Sequence, residues 1–284
     1  MNKKIIPLAL IITLLISGCG VTFQLPQVTP GPVAYEKIEA TAPGGSSDPI
    51  RLKLTFGAGE MLIRPGSDIL ISGQASFNIP DFKPEITSTD NVVNVTQGSY
   101  TLNKIPNFSN VVNTWDLELG NNPIDLEISA GAYSATMELG RLALTNVMIK
   151  DGASDVHLSF SEKNLSAMNL FRYETGASQV ILSGLANADF SLLEFTGGAG
   201  NYTLDFSGEF SRDATASITA GLGNLRIVIP QNVHTQLTID GNFSNITIDD
   251  HWIKNGSTYT QEGSGPMLTI IVKAGAANLV IAGE

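Results

Sequence analysis

A short template recurs along this chain, and it constrains the fold more than any other feature of the sequence. Around each of eight landmark residues, apolar side chains stand five and three residues before the landmark and four and six residues after it. The landmarks are Gly57, Gly131, Gly152, Gly176, Gly198, Gly221, Asn242 and Gly275. Most positions between these slots are polar, so each copy predicts two strands that bury one face and expose the other.

The spacing of the copies indicates how they are arranged. From Gly131 to Asn242 the landmarks recur at a nearly constant interval. A short, regular period is typical of stacked units, because one strand-turn-strand cannot bury its apolar face alone, whereas neighbours in register share a core. We therefore expect an all-β fold, a β-solenoid or β-roll of stacked strand-turn-strand units over residues 116–284. A β-sandwich is the alternative, since short strands with regular turns describe it as well.

The turns carry their own predictions. Glycine is expected at a landmark because the backbone there needs either a positive φ or a close approach to its neighbour. Asn242 predicts a left-handed residue, since Asn tolerates that region better than other side chains. Between Ile248 and Leu268 an insertion contains Asn255-Gly256, which predicts a hairpin covering an end or an edge of the stack.

Two segments before residue 116 depart from this rhythm. Residues 49–115 hold one copy of the template, and the interval from its landmark, Gly57, to Gly131 is far longer than the interval between later landmarks. This stretch is interpreted as an N-terminal β subdomain packed on the stack. Residues 19–48 are rich in Pro and Gly, a composition that favours extended chain, and they are predicted to be a tether.

Residues 1–18 predict a secretion signal. Lys3 and Lys4 form a short basic region ahead of an apolar run from Ile5 to Ile16. The run is shorter than the roughly 20 apolar residues needed to span a bilayer as a helix. It is therefore expected to be a leader that is removed from the mature protein.

The end of this leader resembles the bacterial lipobox. Ile16, Ser17 and Gly18 provide an aliphatic residue and two small ones directly before Cys19, the only cysteine of the chain. The resemblance implies cleavage before Cys19, a lipid on that cysteine and an extracytoplasmic, membrane-anchored protein. Because Gly20 rather than Asp follows, it also implies the outer membrane if the cell has two membranes. An ordinary signal peptide with a cysteine near its cleavage site is the alternative reading.

The composition argues against one class of binding partner. The formal net charge is −11, and no stretch of the chain clusters Lys and Arg, so nucleic-acid binding is not expected. Hydrophobic residues make up 43% of the chain and charged residues 15%, so the chain can bury a substantial core.

No motif predicts a cofactor or metal site. The run from Gly197 to Asn201 leads into an alternating strand and lacks the helix and Lys of a phosphate loop, so a tight turn is expected. The three histidines are far apart in the sequence, at His157, His234 and His251, and their spacing is not that of metal ligands.

Acidic residues provide the only enzymatic hypothesis. Five carboxylates are expected on outward positions of different units, namely Glu127, Glu138, Asp155, Asp205 and Asp249. Stacked folds that act on polysaccharides can gather such acids in one cleft. A solvated acidic face is the simpler interpretation, and we predict no catalytic residues.

Several short segments together resemble one family. They are Phe56–Glu60, Pro80–Ile86, Trp115–Leu119, the successive Gly-Ala turns, the hairpin near Tyr259 and Lys273–Ala276. Over residues 50–284 the chain resembles the bacterial toast-rack proteins of the cell surface, which are close to adhesin-like domains of unassigned function. The resemblance implies a stacked β fold in the cell envelope and brings no catalytic or cofactor-binding residues.

Three functional interpretations follow. The first is a lipid-anchored surface protein of the envelope that acts as a structural, adhesive or binding module, is not an enzyme, and contacts an envelope protein or a glycan. The second is a sensing or regulatory lipoprotein, because domains that resemble this one are attached to membrane proteins of envelope-stress systems. The third is a polysaccharide-active enzyme.

Overall fold

The computed structural model describes residues 27, 28, 30–44, 48–98, 105, 106 and 110–283. The predicted leader, residues 1–18, and the predicted lipidation site, Cys19, lie outside the described residues. In the part of the chain that is described, no helix has the length and apolar character needed to cross a membrane.

The described chain is almost entirely β-strand, which confirms the predicted all-β class. In chain order the strands are β1 Gln27–Val28, β2 Ala34–Ala40, β3 Ile50–Pro65, β4 Ile71–Phe77, β5 Pro84–Thr89, β6 Val92–Gln97, β7 Ile105–Pro106, β8 Asn113–Leu119, β9 Pro123–Glu138, β10 Ala143–Lys150, β11 Ala153–Ser159, β12 Met168–Ser183, β13 Phe190–Asp205, β14 Ala214–Val228, β15 Val233–Gly241, β16 Asn245–Ile248, β17 Ile253–Asn255, β18 Thr258–Gln261 and β19 Ser264–Ala282. The short 3-10 helices Pro80–Phe82 and Leu185–Ala188 join neighbouring strands.

The eight template copies form eight rungs of a parallel stack, and β6 with β8 forms one more rung, which has no copy of the template. In each copy the first arm lies before the landmark and the second arm after it, and both arms pair in register with the next rung. The order of the rungs is β6 with β8, β3, β9, β10 with β11, β12, β13, β14, β19, and β15 with β16. Parallel, in-register pairing of successive repeats is the arrangement expected of stacked units.

Burial follows the template. In seven of the eight copies every apolar slot is less than 5% exposed. The exception is the rung around Asn242, where Ile246 is 43% exposed because no rung of the described residues lies beyond it. Inward side chains stand an odd number of residues before the landmark and an even number of residues after it. The alternation of buried and exposed positions therefore shifts by one residue at the landmark, where each rung turns a corner.

Close approach explains the landmark glycines. A Cβ on Gly176 would lie 2.4 Å from the carbonyl oxygen of Gly152, and one on Gly198 would lie 2.3 Å from that of Gly176. These contacts are far inside van der Waals distance, so a side chain at these corners would push the rungs apart. The prediction of a left-handed residue at Asn242 is wrong. Asn242 does not adopt a positive φ, whereas Gly241 beside it does, at 138°.

Both ends of the stack depart from sequence order. The last strand, β19, lies between β14 and the rung formed by β15 and β16. At the other end, β6 and β8 lie outside β3, which pairs on its other side with β9. The long interval between the first two landmarks therefore corresponds to an excursion that builds an outer rung before the chain returns to the stack.

Two of the predicted boundaries differ from the structure. The predicted tether, residues 19–48, includes β2, which pairs antiparallel with β4 and buries Ile38 completely, so residues 34–40 belong to the folded body. The stack also begins before residue 116, because β3 of the predicted subdomain 49–115 is a rung in register with β9. One hydrophobic cluster extends from Ile38 to Ile281, so the two parts share a core.

Antiparallel strands cover most of the outer edges. β4 pairs with β8 and β5 with β6 at one end, and β18 pairs with β15 at the other. β17 and β18 form the hairpin predicted around Asn255-Gly256, and it covers an edge of the stack as expected.

Candidate functional site

The outward side chains of the first arms form one continuous surface, which we call the charged face. On the rungs from β3 to β14 they stand four and two residues before each landmark and comprise Lys53, Thr55, Glu127, Ser129, Met148, Lys150, Arg172, Glu174, Glu194, Thr196, Ser217 and Thr219. Because the rungs are parallel and in register, each side chain lies beside its equivalent on the next rung, about 4.8 Å away along the stack. The face is therefore a regular array of charged and polar groups.

Ion pairs link neighbouring rungs on this face. Arg172 Nε donates to Glu194 Oε2 over 2.7 Å, and Lys53 Nζ lies 3.0 Å from Glu127 Oε2. Lys150 Nζ is 3.8 Å from a carboxylate oxygen of Glu174. These side chains are all substantially exposed, so each pair contributes little to stability, about 0–1 kcal/mol. Their main effect is to hold opposite charges in fixed positions on the surface.

Two shallow depressions flank Arg172. One, of about 210 Å³, lies between Glu127, Met148, Lys150, Arg172 and Glu174. The other, of about 270 Å³, is bounded by Arg172, Glu174, Glu194 and the hydroxyl-bearing residues Thr196, Ser217 and Thr219. Both are open and smaller than the roughly 300–1,000 Å³ of a typical small-molecule pocket. They suit protruding groups of a larger ligand.

The second arms carry a ladder of side-chain amides. Asn224 Nδ2 donates to Asn201 Oδ1 over 2.7 Å, and Asn278 Nδ2 donates to Asn224 Oδ1 over 2.9 Å. The column continues to Asn245, which is paired in register with Asn278. Stacked amides of this kind stabilise parallel, in-register strands.

The structure does not bring the five predicted carboxylates together. Glu127 lies on the charged face, whereas Asp155 lies on the second-arm face, 3.8 Å from His157 Nε2. The other three bind nearby hydrogen-bond donors: Glu138 accepts from Ser159, Asp205 from Ser207, and Asp249 from the Gly283 backbone N–H.

His157 and His251 have separate surroundings. The side chain of His157 is 56% exposed, and His251 Nε2 is 2.6 Å from Gln261 Oε1. Among the residues that the structure describes, no group of three or more His, Cys, Asp or Glu side chains is arranged to hold a metal ion.

A buried polar cluster at the corner of the stack is not predicted by the sequence patterns above. Asp151 is only 7% exposed, and its carboxylate accepts hydrogen bonds from the hydroxyls of Tyr173, at 2.7 Å, and Thr175. Asp151 occupies the inward position directly before its landmark, where β3, β9 and β14 carry Phe56, Ala130 and Ala220. A charged residue in that inward column is the signal that could have identified it.

Two more tyrosines complete the cluster. Tyr133 and Tyr202 are buried beside Asp151, and their hydroxyls have no hydrogen-bond partner. Burial raises the pKa of Tyr133 and of Tyr173, and the nearby charge of Asp151 raises both further. Burial also raises the pKa of Tyr202. The cluster spans the rungs from β9 to β13, so its effect is to fix the packing of the corner.

The parallel, in-register rungs and their open faces place the described residues in the class of stacked β-strand proteins. Residues 31–172 match the family described as the N-terminal domain of toast_rack, DUF2154. This match covers half of the chain, and the protein belongs to the toast-rack family, as its resemblance to that family predicts.

Solved structures provide more distant similarities. A candidate cell adhesion protein from Clostridium sporogenes is 17% identical, with a TM-score of 0.46, and the alignment covers 89% of this chain and 100% of that one. A candidate adhesin from Bacteroides fragilis is 11% identical with a TM-score of 0.32, over 88% of this chain and 97% of that one. A candidate lipid-binding protein from Parabacteroides distasonis is 11% identical with a TM-score of 0.34, over the same shares. At these TM-scores the similarity carries no argument about function. No curated protein matches the chain.

Proposed function

We propose that this protein is a lipid-anchored surface protein of the bacterial envelope and that its stack is a non-enzymatic binding module, structural or adhesive. The leader and Cys19 support export and anchoring. The charged face supports binding, and the partner is another envelope component, a protein or a glycan.

The charged face is the observation that carries this proposal. It presents ordered charges on rungs that share one rigid core, and its depressions around Arg172 are open rather than enclosed. A flat array of this kind matches a large, complementary surface better than a small substrate. Electrostatic complementarity of such surfaces contributes to specificity and to the rate of association.

The positions of the acids disfavour polysaccharide hydrolysis. Glu138 and Asp205 stand at equivalent ends of second arms but are three rungs apart, which corresponds to about 14 Å along the stack. Glycosidases of either stereochemistry hold their two carboxyl groups within about 10 Å of each other. Glu174 and Glu194 are nearer neighbours, but each is held in an ion pair with a cation of the charged face.

Binding to isolated envelopes of the producing bacterium tests the role of the charged face. We expect saturable binding by the chain carrying Cys19→Ser and lacking the leader, and we expect salt to weaken it, because exposed charges are screened. Arg172→Glu should weaken binding markedly. Arg226→Glu is the matched control, since Arg226 is exposed on the second-arm face. If both substitutions leave binding unchanged, the charged face is not the binding surface.

The anchor has its own test. Replacing Cys19 with Ser in the full chain should release the protein from membranes or leave it unprocessed, because lipid on that residue is the proposed anchor. Membrane fractionation with metabolic lipid labelling measures both outcomes. A Cys19→Ser protein that is fully cleaved yet still sediments with membranes would show that the anchor lies elsewhere.

A further inference from the structure

The sheet face that carries the charged face extends over eight rungs, from β3 to β15. On β19 and β15 its outward residues include Lys273 and Asp240, which are exposed and paired in register. At the other end, Arg51 of β3 is paired in register with Asp125 of β9, one outward position before the charged face. We call this whole surface the first-arm face.

Cations and anions follow one another in a fixed order along the first-arm face. β3 carries the cations Arg51 and Lys53, and the next rung, β9, carries anions at both equivalent positions. Arg172 on β12 is followed by Glu194 on β13, and Lys273 on β19 is followed by the anion of β15. A face with this order is complementary to the same face run in the opposite direction.

A second copy of the chain provides this reversed order when two first-arm faces pack against each other. A two-fold axis can lie in the interface, parallel to the strands and between β12 and β13. It sets β3 opposite β15, β9 opposite β19, β10 opposite β14 and β12 opposite β13, and it keeps the position along each strand. Arg172 of each copy then stands opposite Glu194 of the other, and Leu170 stands opposite Leu192.

Charges at the ends of the two faces match as well. Lys273 of one copy lies opposite β9 of the other, whose anions include Glu127, and Asp240 lies opposite β3 with its two cations. Lys150 and Glu174 face hydroxyl-bearing residues of β14 and β13. Within these described rungs no charged residue stands directly opposite a like charge, so the complementarity extends over the whole overlap.

Other positions of the axis are less favourable. An axis on β12 sets Arg172 opposite its own equivalent, and an axis on β13 does the same to Glu194. An axis between β10 and β12 sets Glu127 opposite Glu194. An axis between β13 and β14 leaves β3 and β9, with their four charges, beyond the facing rungs of the other copy. The axis between β12 and β13 is also the one that overlaps all eight rungs.

The overlap has the size of a stable interface. Rungs about 4.8 Å apart, with arms of about seven residues and about 23 Å, give a face of about 800–900 Å² on each copy. Stable protein interfaces typically bury about 800 Å² on each partner. At the centre, Arg172 and Glu194 of the two copies form a ring of alternating charges. Each cation of that ring keeps its 2.7 Å partner within the chain and gains an anion of the other copy.

We propose that a second copy of this chain is the partner of the charged face, and that the two stacks pack face to face in opposite directions. This inference rests on the proposed function, because it names the partner that the charged face binds. The contact is isologous, so it closes as a dimer and does not extend into a filament. A copy anchored in the envelope captures another copy through this face.

Charge reversal tests the position of the axis in the Cys19→Ser chain without the leader. We expect this parent chain to sediment as a dimer. Arg172→Glu and Glu194→Arg each set like charges opposite each other, so each should weaken dimerisation by about tenfold or more. An equimolar mixture of the two variants should form a heterodimer, because opposite charges then face each other again. Arg226→Glu, on the second-arm face, is the control and should leave the dimer intact.

The double variant Arg172→Glu, Glu194→Arg adds a stricter test. Its copies again set opposite charges across the axis, so it should dimerise with itself, but it should not pair with the parent chain. A parent chain that stays monomeric at its highest soluble concentration would overturn the proposal. A mixture of the two single variants that remains monomeric would overturn it as well.

Envelopes from a strain that lacks the gene for this protein separate the inference from the proposed function. We expect the parent chain to bind envelopes of the producing bacterium and not those of the deletion strain. Equal binding to both would overturn pairing with a second copy and leave the proposed function intact, with a different protein or a glycan as the partner. A parent chain that dimerises through this face but binds neither envelope would contradict the proposed function alone.

Discussion

The hydroxyl of Tyr173 donates a 2.7 Å hydrogen bond to Oδ2 of Asp151, inside a corner of the stack. Tyr173 belongs to β12, and Asp151 lies at the corner between β10 and β11 of the neighbouring rung. The bond therefore ties two rungs together inside the core. A buried carboxylate is costly unless its lone pairs are satisfied, and here hydroxyl groups rather than a cation satisfy them.

Removal of this carboxylate should be more costly than removal of one donor. In Asp151→Ala the hydroxyl of Tyr173 loses its acceptor inside the core, at about 1–3 kcal/mol for an unsatisfied group, and Thr175 keeps only its contact with Ser178 Oγ. Tyr173→Phe should cost about 1 kcal/mol, because Thr175 still donates to the carboxylate. Urea unfolding of both variants and of the double variant gives the coupling energy. Strictly additive losses would contradict a direct interaction between the two residues.

The buried tyrosines predict a loss of stability at alkaline pH. The pKa of Tyr133 is raised above its ordinary value of 10.0, so the folded protein keeps this phenol neutral under conditions where the unfolded chain ionises it. Its contribution is therefore fully present below about pH 10 and is lost as the pH rises through the raised pKa. Tyr133→Phe should leave stability at neutral pH nearly unchanged and reduce the alkaline loss. Melting curves from pH 8 upward check this, with Tyr35→Phe as the exposed control.

The landmark glycines are expected to be intolerant of even a methyl group. Gly176→Ala would place a Cβ 2.4 Å from the Gly152 carbonyl oxygen, and backbone on both sides prevents easy relaxation. We expect a loss of about 1–3 kcal/mol or more, as in other overpacked sites. Gly44→Ala is the control, since nothing lies within 4 Å of its Cβ position. Equal melting temperatures for the two variants would show that the corners are not closely packed.

Substitution of adjacent residues tests which face of each arm is buried. Ile149→Asp and Leu204→Asp put an unpaired carboxylate into the core, which should cost several kcal/mol. Lys150→Asp and Thr203→Asp put the same charge on the wet faces, where changes usually remain within about 0.5 kcal/mol. Thermal melts of the four variants should separate the two inward changes from the two outward ones. Indistinguishable melts within each pair would invalidate the assignment of faces.

The arms and their buried faces can be predicted because they depend on local periodicity. A period of two residues determines which side chains face inward. The apolar positions around Gly176 and Gly198 are buried as the template predicts. The order of the rungs cannot be predicted in the same way. The copy around Gly275 fits next to Gly221 or beyond Asn242 equally well by pattern, and only the pairing of distant strands decides between them.

In the candidate site, too, features that depend on local sequence can be predicted, and features that depend on contacts between rungs cannot. The outward position of a charged residue such as Arg172 can be predicted from the template. The pairing of Arg172 with Glu194 cannot, because it depends on the register between two rungs. The cluster around Asp151 is assembled from different rungs, so no single segment shows it. The Pro and Gly that surround Ile38 indicate a tether, although the burial of Ile38 depends on β4, which is distant in the sequence.

Exchange of the charges within one ion pair tests the central claim most directly. The double variant Arg172→Glu, Glu194→Arg keeps the ion pair between β12 and β13 but reverses its direction on the charged face. Binding to isolated envelopes is measured for this variant and for the parent chain, together with the melting temperature of each. If the charged face recognises a partner, the variant should melt like the parent chain and bind much more weakly. Unchanged binding by a correctly folded double variant would contradict the account.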